Sequence, residues 1–359
     1  MTEVQMIQKQ GLDSPGPNGP GPGVTERWMD FDGARMRYLQ AGSGPALILL
    51  HGLMGYSFSW RYTMPALAPY RTVYAPDLLG AGFSDRPLGI DHSVRGTALR
   101  ILRFVEQLGL TSFDLLGTSR GGIVATAVAA ECLAGAAASS ELLCDSSRSE
   151  ESRSLQPRAE TQVPHFVRDD NSGKSEQGKS SKREQYKSSN GADYPAARVR
   201  KLVLVCPVNP YSAHGRWLAP FFGTRLGAAA FRFAIERRPS LYPYFHARLF
   251  ADRDKIPAGS LDGYRAPLAI PGLFEHALSI VQTWKQDLRQ QEELLPKLAE
   301  IPTLLMWGDK DPAVYVSSME RLARHFFYAQ MVIFPGIGHL PYEECPQEFN
   351  QALIKFLIP

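Results

Sequence analysis

An α/β architecture, with a mostly parallel sheet covered by helices on both faces, is predicted by three observations. Short apolar runs without polar alternation, such as Ala46–Leu50 and Leu202–Cys206, read as strands buried on both faces. Segments with helical apolar spacing separate these runs, as βαβ units require. Residues suited to chemistry follow directly after the runs, at the carboxyl ends of strands, where open parallel sheets bind ligands.

Residues 1–25 are rich in Pro and Gly and predict a disordered leader. Core residues then occupy 26–134. Trp28–Phe31 and Ala34–Ala41 flank Asp32-Gly33 and predict a hairpin. Ala46–Leu50 is a buried strand that ends at His51-Gly52-Leu53-Met54-Gly55. A helix is expected over 58–68 and a short strand over 72–75, followed by Asp77–Ser84. Leu99, Leu102, Val105 and Leu108 mark a helix over 94–108. The strand before Ser119 and an alanine-rich helix to about Leu133 complete this part. Residues 135–193 are rich in Ser, Glu, Lys and Arg and predict a disordered low-complexity insertion. It is expected to leave from the sheet edge opposite Ser119. Its simplest role is a tolerated surface loop, with a docking or phosphorylation tail as the alternative. Core resumes over 194–208. Residues 209–300 are helical, aromatic and Arg-rich, with Trp217, Phe221, Phe222 and Phe231, and are expected to cap the ligand end of the sheet. Strands over 303–307 and 330–334, with helices over 317–325 and 347–357, finish the core in 301–359.

Bulk composition narrows the function classes. The chain has 359 residues, 44% of them hydrophobic and 21% charged, as in a soluble globular protein. A formal charge of +3 does not predict nucleic-acid binding. No apolar run reaches the roughly 18 residues that span a bilayer, so no stable membrane insertion is expected. Met1–Gln10 is polar and lacks a secretory apolar core, which makes the cytoplasm the expected location. The four cysteines form no Cys-x-x-Cys pair, so neither a metal nor a redox site is expected. Cys206 reads as a small buried hydrophobe. A small-molecule substrate and no cofactor are expected, and no oligomeric state follows from the sequence.

The stretch Phe113–Ala125 carries the chemistry. A strand stops at Gly117-Thr118-Ser119-Arg120-Gly121-Gly122, and a helix-prone segment follows. Ser119 at the tip of such a turn is held in a strained backbone conformation with its hydroxyl lifted clear of the sheet. Gly117 and Gly121 leave room where the turn folds back on itself. A serine at its ordinary pKa needs a base within hydrogen-bond reach. His339, in Pro335-Gly336-Ile337-Gly338-His339, is the best placed, just past the last strand. The base needs a carboxylate to orient it, and Asp309 and Asp311 follow the strand ending at Trp307-Gly308. The order Ser, Asp, His matches one class of catalytic triad.

On these motifs the chain resembles the α/β-hydrolase superfamily, in its cap-bearing esterase, C–C hydrolase and epoxide-hydrolase branch. The resemblance covers about residues 27–134 and 195–358. His51-Gly52, Asp77–Ser84, Gly117–Gly121, Gly308–Asp311 and Gly338-His339 occur in the family's order. It implies an eight-stranded, mostly parallel sheet with the cap inserted after strand 6. It also implies Ser119 as nucleophile, His339 as base and Asp311, rather than Asp309, as the acid. The backbone N–H groups of Leu53 and Arg120 would form the oxyanion hole. His51, Gly52, Gly117 and Gly121 would support the oxyanion loop and elbow. Epoxide hydrolases and haloalkane dehalogenases of this superfamily place aspartate at the elbow, so a serine points to acyl chemistry. Arg120 stands where the family often has Met, Leu or Gln; its side chain either lines the pocket or points away.

The leading expectation is hydrolysis of a small carboxylic ester through an acyl-enzyme. Cleavage of a carbon–carbon bond in a keto-dienoic acid stays open, with cap arginines (Arg216, Arg225, Arg232, Arg237, Arg238) as possible anion contacts or solvated charges. Cofactor-free perhydrolase chemistry, a ligand-sensing protein on a hydrolase scaffold and an interaction role for the insertion also stay open.

Overall fold

The computed structural model describes residues 23–153, 197–212 and 241–358, together with positions 224, 226, 227 and 233. The predicted leader up to residue 22 and most of the insertion lie outside the described residues. So do the arginines and Trp217, Phe221, Phe222 and Phe231 singled out between 213 and 240.

Eight strands form one sheet: β1 (Val24–Phe31), β2 (Ala34–Ala41), β3 (Ala46–Leu50), β4 (Thr72–Pro76), β5 (Ser112–Thr118), β6 (Arg198–Val205), β7 (Thr303–Gly308) and β8 (Ala329–Phe334). Their order is β1-β2-β4-β3-β5-β6-β7-β8. The hairpin pairs β1 with β2, and β2 meets β4 antiparallel; every other pairing is parallel. Asp32 and Gly33 both take left-handed backbone angles at the hairpin turn, as an Asp-Gly pair predicts. All residues of β3 and β7 are buried, which requires cover on both faces of the sheet. Leu47, Ile48, Leu49 and Leu50 expose no surface, and each such side chain stabilises the fold by about 1.5–3 kcal/mol on burial.

The strand order decides where a site forms. β3 pairs with β4 on one side and with β5 on the other. The chain therefore reverses its direction of travel across the sheet at β3. The loops leaving β3 and β5 part to opposite faces and open a crevice at their carboxyl ends. His51-Gly52 and Ser119 are the residues that follow those two strands.

Local chemistry explains the differences from expectation. The helix expected over 58–68 is a 3₁₀ turn (Ser57–Trp60) followed by α1 (Thr63–Leu67). Pro65 has no N–H to bond back to Arg61, so a continuous helix breaks, and Pro65 falls in the first turn of α1, where none is needed. α2 spans Val94–Gln107, and Ser93 caps it by accepting from the Gly96 N–H at 3.0 Å. α3 runs Arg120–Arg153, 34 residues or roughly 50 Å. This corrects the reading of 135–193 as disordered from its first residue. The deficit of apolar residues argued against a packed core there, but Ala136-Ala137-Ala138 and Glu141-Leu142-Leu143 are strong helix formers. A helix already nucleated in the core extends through them, because propagation is far easier than nucleation. β1 likewise begins at Val24, within the segment assigned to the leader.

Between β6 and β7 the structure places α4 (Leu241–Ala247), α5 (Ser260–Arg265) and α6 (Leu273–Leu294). After β7 come α7 (Met319–Ala323), α8 (Pro341–Glu344) and α9 (Pro346–Leu357). Among the described residues, no helix is long and apolar enough to cross a membrane.

Candidate active site

Ser119 sits between β5 and α3 with φ +51°, a left-handed conformation that a non-glycine residue adopts only under constraint. The constraint is visible. The Ser119 N–H donates to Val205 O at 2.9 Å, and its carbonyl accepts from the N–H groups of Gly122 and Val208, both at 3.0 Å. Adjacent strand and helix backbone thus hold the turn on both sides. A Cβ on Gly117 would lie 2.2 Å from Gly121 O, and one on Gly121 would lie 2.3 Å from Leu50 O. Gly117→Ala is therefore expected to lower stability by about 1–3 kcal/mol in urea unfolding, with turnover lost as the turn shifts. Unchanged stability and turnover would show that the turn tolerates opening.

The predicted base and acid meet. His339 Nδ1–H donates to Asp311 Oδ2 at 2.8 Å, and both residues are only 4% exposed. Asp311 Oδ1 accepts from the N–H groups of Ala313 and Val314 at 2.7 and 2.9 Å. Trp307 Nε1 donates to Val314 O at 2.8 Å and pins the far side of the same loop. The His339 N–H donates to Leu249 O at 2.7 Å. Glu344 accepts from the N–H groups of Ala251 and Gly338 and so ties this loop to the segment after α4. Asp309, by contrast, accepts from the Gly336 N–H at 2.6 Å, serving the turn rather than the histidine.

Cys206 links the serine to this pair. It follows Val205, whose carbonyl receives the Ser119 N–H, and it carries φ +43° in full burial. Its Sγ lies within 4.8 Å of ligating atoms of both Asp311 and His339. Such a trio could bridge a metal ion geometrically, but its chemistry does not call for one. Both Asp311 oxygens already accept N–H donors, and burial, reinforced by the Asp311 charge, pushes the thiol well above its ordinary pKa. The expected buried character of Cys206 holds; its contact with Asp311 had no sequence signal, because 105 residues separate them in the chain.

His51 has both ring nitrogens engaged. Nδ1–H donates to Gly52 O at 2.8 Å, and Nε2 accepts from the Leu78 N–H at 3.0 Å. Burial lowers its pKa and keeps it neutral. It therefore has no free lone pair to act as a base, and it braces the loop after β3 against the residue after β4. Gly52 lies close enough to the serine that an added Cβ would be 3.1 Å from Ser119 Cβ. Leu53 follows, and Met54 takes φ +58° to complete the turn. The Asp77–Ser84 motif supports this region from below. Asp77 accepts from the Ser57 and Phe83 N–H groups and from Arg37, and Ser84 donates to Asp77 O.

The Arg120 side chain, left open by the sequence, points into the protein. It is 5% exposed, and Nη2 donates to His92 O at 2.7 Å. It lines a cavity of about 30 Å³ with Gly52 and Leu53 on one side and α6 on the other.

A family model described as the alpha/beta hydrolase family matches residues 47–352. The chain belongs to the α/β-hydrolase family. The fold, the strand order and the serine turn of this hydrolase agree with that membership. Haloalkane dehalogenase 2 of Mycobacterium tuberculosis is 26% identical over 342 residues, covering 92% of this chain and 93% of that protein. Epoxide hydrolase A of the same organism is 27% identical over 344 residues, covering 93% and 97%. A crystal structure of the meta-cleavage product hydrolase CumD from Pseudomonas fluorescens IP01 superposes with a TM-score of 0.61 at 21% identity, covering 92% of this chain and 97% of that one. At that identity it shows the shared fold.

Proposed function

We propose that this hydrolase cleaves a small carboxylic ester through an acyl-enzyme on Ser119. The observation that carries the reading is the buried 2.8 Å Asp311–His339 hydrogen bond at the sheet end that also presents the strained Ser119. His339 takes the Ser119 proton through Nε2 while Asp311 stabilises the imidazolium. Ser119 Oγ attacks the carbonyl carbon. The N–H groups of Leu53 and Arg120 receive the developing oxyanion, each such donor being worth about a hundredfold or more in rate. His339 then protonates the leaving alkoxide, and a water activated by His339 releases the acid.

The named chemistry of the relatives differs; the family resemblance implies an aspartate at the elbow of epoxide hydrolases and haloalkane dehalogenases, where this chain has Ser119. A serine hydroxyl forms an acyl-enzyme that water resolves at the carbonyl, which suits esters rather than alkyl halides or epoxides. Labelling with a fluorophosphonate tests the reading. Wild type is expected to label at Ser119, and Ser119→Ala and His339→Ala to label at less than about 1% of that rate. Equal labelling of wild type and Ser119→Ala would remove Ser119 as nucleophile. An unreactive but folded wild type would favour a ligand-sensing scaffold.

A further inference from the structure

His339 is held through its backbone, and part of that hold comes from outside the core. The segment Leu249–Ala251 follows α4, in the stretch of chain between β6 and β7, and lies directly against Gly338 and His339. The His339 N–H donates to Leu249 O at 2.7 Å. A Cβ on Gly338 would lie 2.5 Å from Leu249 O and 2.6 Å from the Ala251 nitrogen, so a side chain there would force the two backbones apart. Phe250, 5% exposed, anchors the segment in the hydrophobic core. One carboxylate closes the arrangement. Glu344 Oε1 accepts from the Gly338 N–H at 3.1 Å, and Oε2 accepts from the Ala251 N–H at 3.0 Å. The residue before His339 and the segment beside it are thus held by the same side chain.

Its neighbour shows how specific this is. Glu343 and Glu344 are consecutive on α8, yet they serve different partners. Glu343 answers the Arg61 guanidinium. Glu344 is turned to backbone N–H groups. Burial pushes its carboxyl up, against the pull of the Ala251 and Gly338 donors and of Lys255, with Asp252 adding to the rise. A carboxylate only 9% exposed is costly to desolvate. An apolar residue in its place would leave the Gly338 and Ala251 N–H groups without this acceptor. What the carboxylate provides is geometric. Two acceptor oxygens on one rigid group fix the spacing between donors that belong to different segments of the chain.

Position decides what this spacing governs. The 2.8 Å bond from His339 Nδ1–H to Asp311 Oδ2 fixes the ring relative to Asp311. The approach of the ring to Ser119 depends as well on where the His339 backbone stands. A misplacement of about 1 Å in a catalytic group costs on the order of a hundredfold in rate. We infer that Glu344 is a positioning residue for the reaction: by holding the Gly338 and Ala251 N–H groups together, it sets the His339 backbone against Leu249–Ala251, so that the stretch between β6 and β7 takes part in placing the base. The inference rests on the ester-hydrolase reading above and adds what keeps its base in register.

Glu344→Gln tests it with little change of volume. The amide keeps one acceptor oxygen but turns an NH₂ toward the second N–H. With p-nitrophenyl butyrate, at a temperature where circular dichroism shows the variant folded, kcat is expected to fall about tenfold to a hundredfold while KM stays within about twofold. In a His339→Ala background the same substitution should leave the residual rate within about twofold, because the group it places is gone. Glu344→Asp, which keeps the charge on an arm one methylene shorter, is expected to lose kcat too, and it supplies the same readouts should Glu344→Gln not fold. The His339 Nδ1–H proton resonance, assigned by its absence in His339→Ala, gives a readout independent of turnover: it should shift and exchange faster with solvent in Glu344→Gln. Unchanged kcat, a loss carried by KM alone, or a fall in rate that persists in the His339→Ala background overturns the inference while leaving ester hydrolysis standing. If wild type turns over no ester, the ester reading fails and the resonance decides the positioning role. Identical shift and exchange in wild type and Glu344→Gln overturn it.

Discussion

Asp311→Asn is expected to lower kcat by about 10⁴-fold while leaving the thermal midpoint nearly unchanged. The size of the effect follows from hydrogen-bond polarity. Asp311 Oδ1 already accepts two N–H donors, from Ala313 and Val314. An asparagine must place its carbonyl oxygen there, because an amide NH₂ would meet two donors head on. Its NH₂ is then directed at His339 Nδ1, where the carboxylate accepted a proton at 2.8 Å. The imidazole can answer only by offering the Nδ1 lone pair, which moves its proton to Nε2. A histidine protonated at Nε2 cannot take the Ser119 proton. Steady-state hydrolysis of a p-nitrophenyl ester measures this directly. Asp309→Asn is the contrast: its carboxylate accepts the Gly336 N–H and faces no histidine, so kcat should stay within about threefold. Retention of kcat within tenfold in Asp311→Asn would remove Asp311 from the orienting role.

Glu343→Leu is expected to destabilise the fold by about 3–5 kcal/mol, read from urea unfolding. Glu343 is 2% exposed and accepts from Arg61 Nη2 at 2.8 Å, from Ser260 Oγ at 2.7 Å and from Tyr264 Oη at 2.7 Å. These partners come from the turn after β3 and from α5, while Glu343 itself lies on α8, only four residues past His339. The network therefore fastens the segment between β6 and β7 to the histidine loop. Removing the carboxylate leaves the Arg61 guanidinium, 8% exposed, without its buried counter-charge. Replacing both residues, Arg61→Leu with Glu343→Leu, should recover most of the loss, because a buried pair is worth little more than apolar residues of similar volume. A single variant that loses less than about 1 kcal/mol would show that water or another acid reaches Arg61. The pH dependence has a definite sign. Burial raises the Glu343 carboxyl, but the Arg61 charge and the three hydrogen-bonding partners outweigh it and hold it below the ordinary value of 4.5. Its contribution is thus complete above about pH 4.5 and is lost as the pH falls through the lower folded-state value.

The contrast between Ser119 and Glu344 shows what could be read in advance. The serine turn needs glycines at two fixed positions and an apolar strand before them, so sterics within about ten consecutive residues write it into the chain. The loops holding Asp311 and His339 were legible for a related reason, since each follows a strand with a continuous apolar run, Leu304–Trp307 and Met331–Phe334. The alternation of those strands with helical segments also determined the sheet and its parallel character. Where a local rule met a competing one, the reading moved: α3 outran its expected end because helix propensity extends a formed helix into a segment poor in apolar residues.

The pairings between distant segments were decided only by the tertiary structure. His92 lies against His276 across 184 residues, and Arg61 against Glu343 across 282. Neither pair has a spacing or a pattern that marks it in the chain. Glu344 reads as one of two adjacent acids before a helix, where a charge ordinarily faces water. It is buried because Leu249–Ala251, a segment with no sequence relation to α8, packs against the loop it holds. Hydrophobic periodicity and turn sterics act between neighbours along the chain, and they sufficed for the parallel sheet, the serine turn and the loops that hold Asp309, Asp311 and His339; the choice of Asp311 over Asp309 rested on the family resemblance. The partners of a buried charge depend on which surfaces meet in space, and so the place of Glu344 between two segments emerged only with the packed molecule.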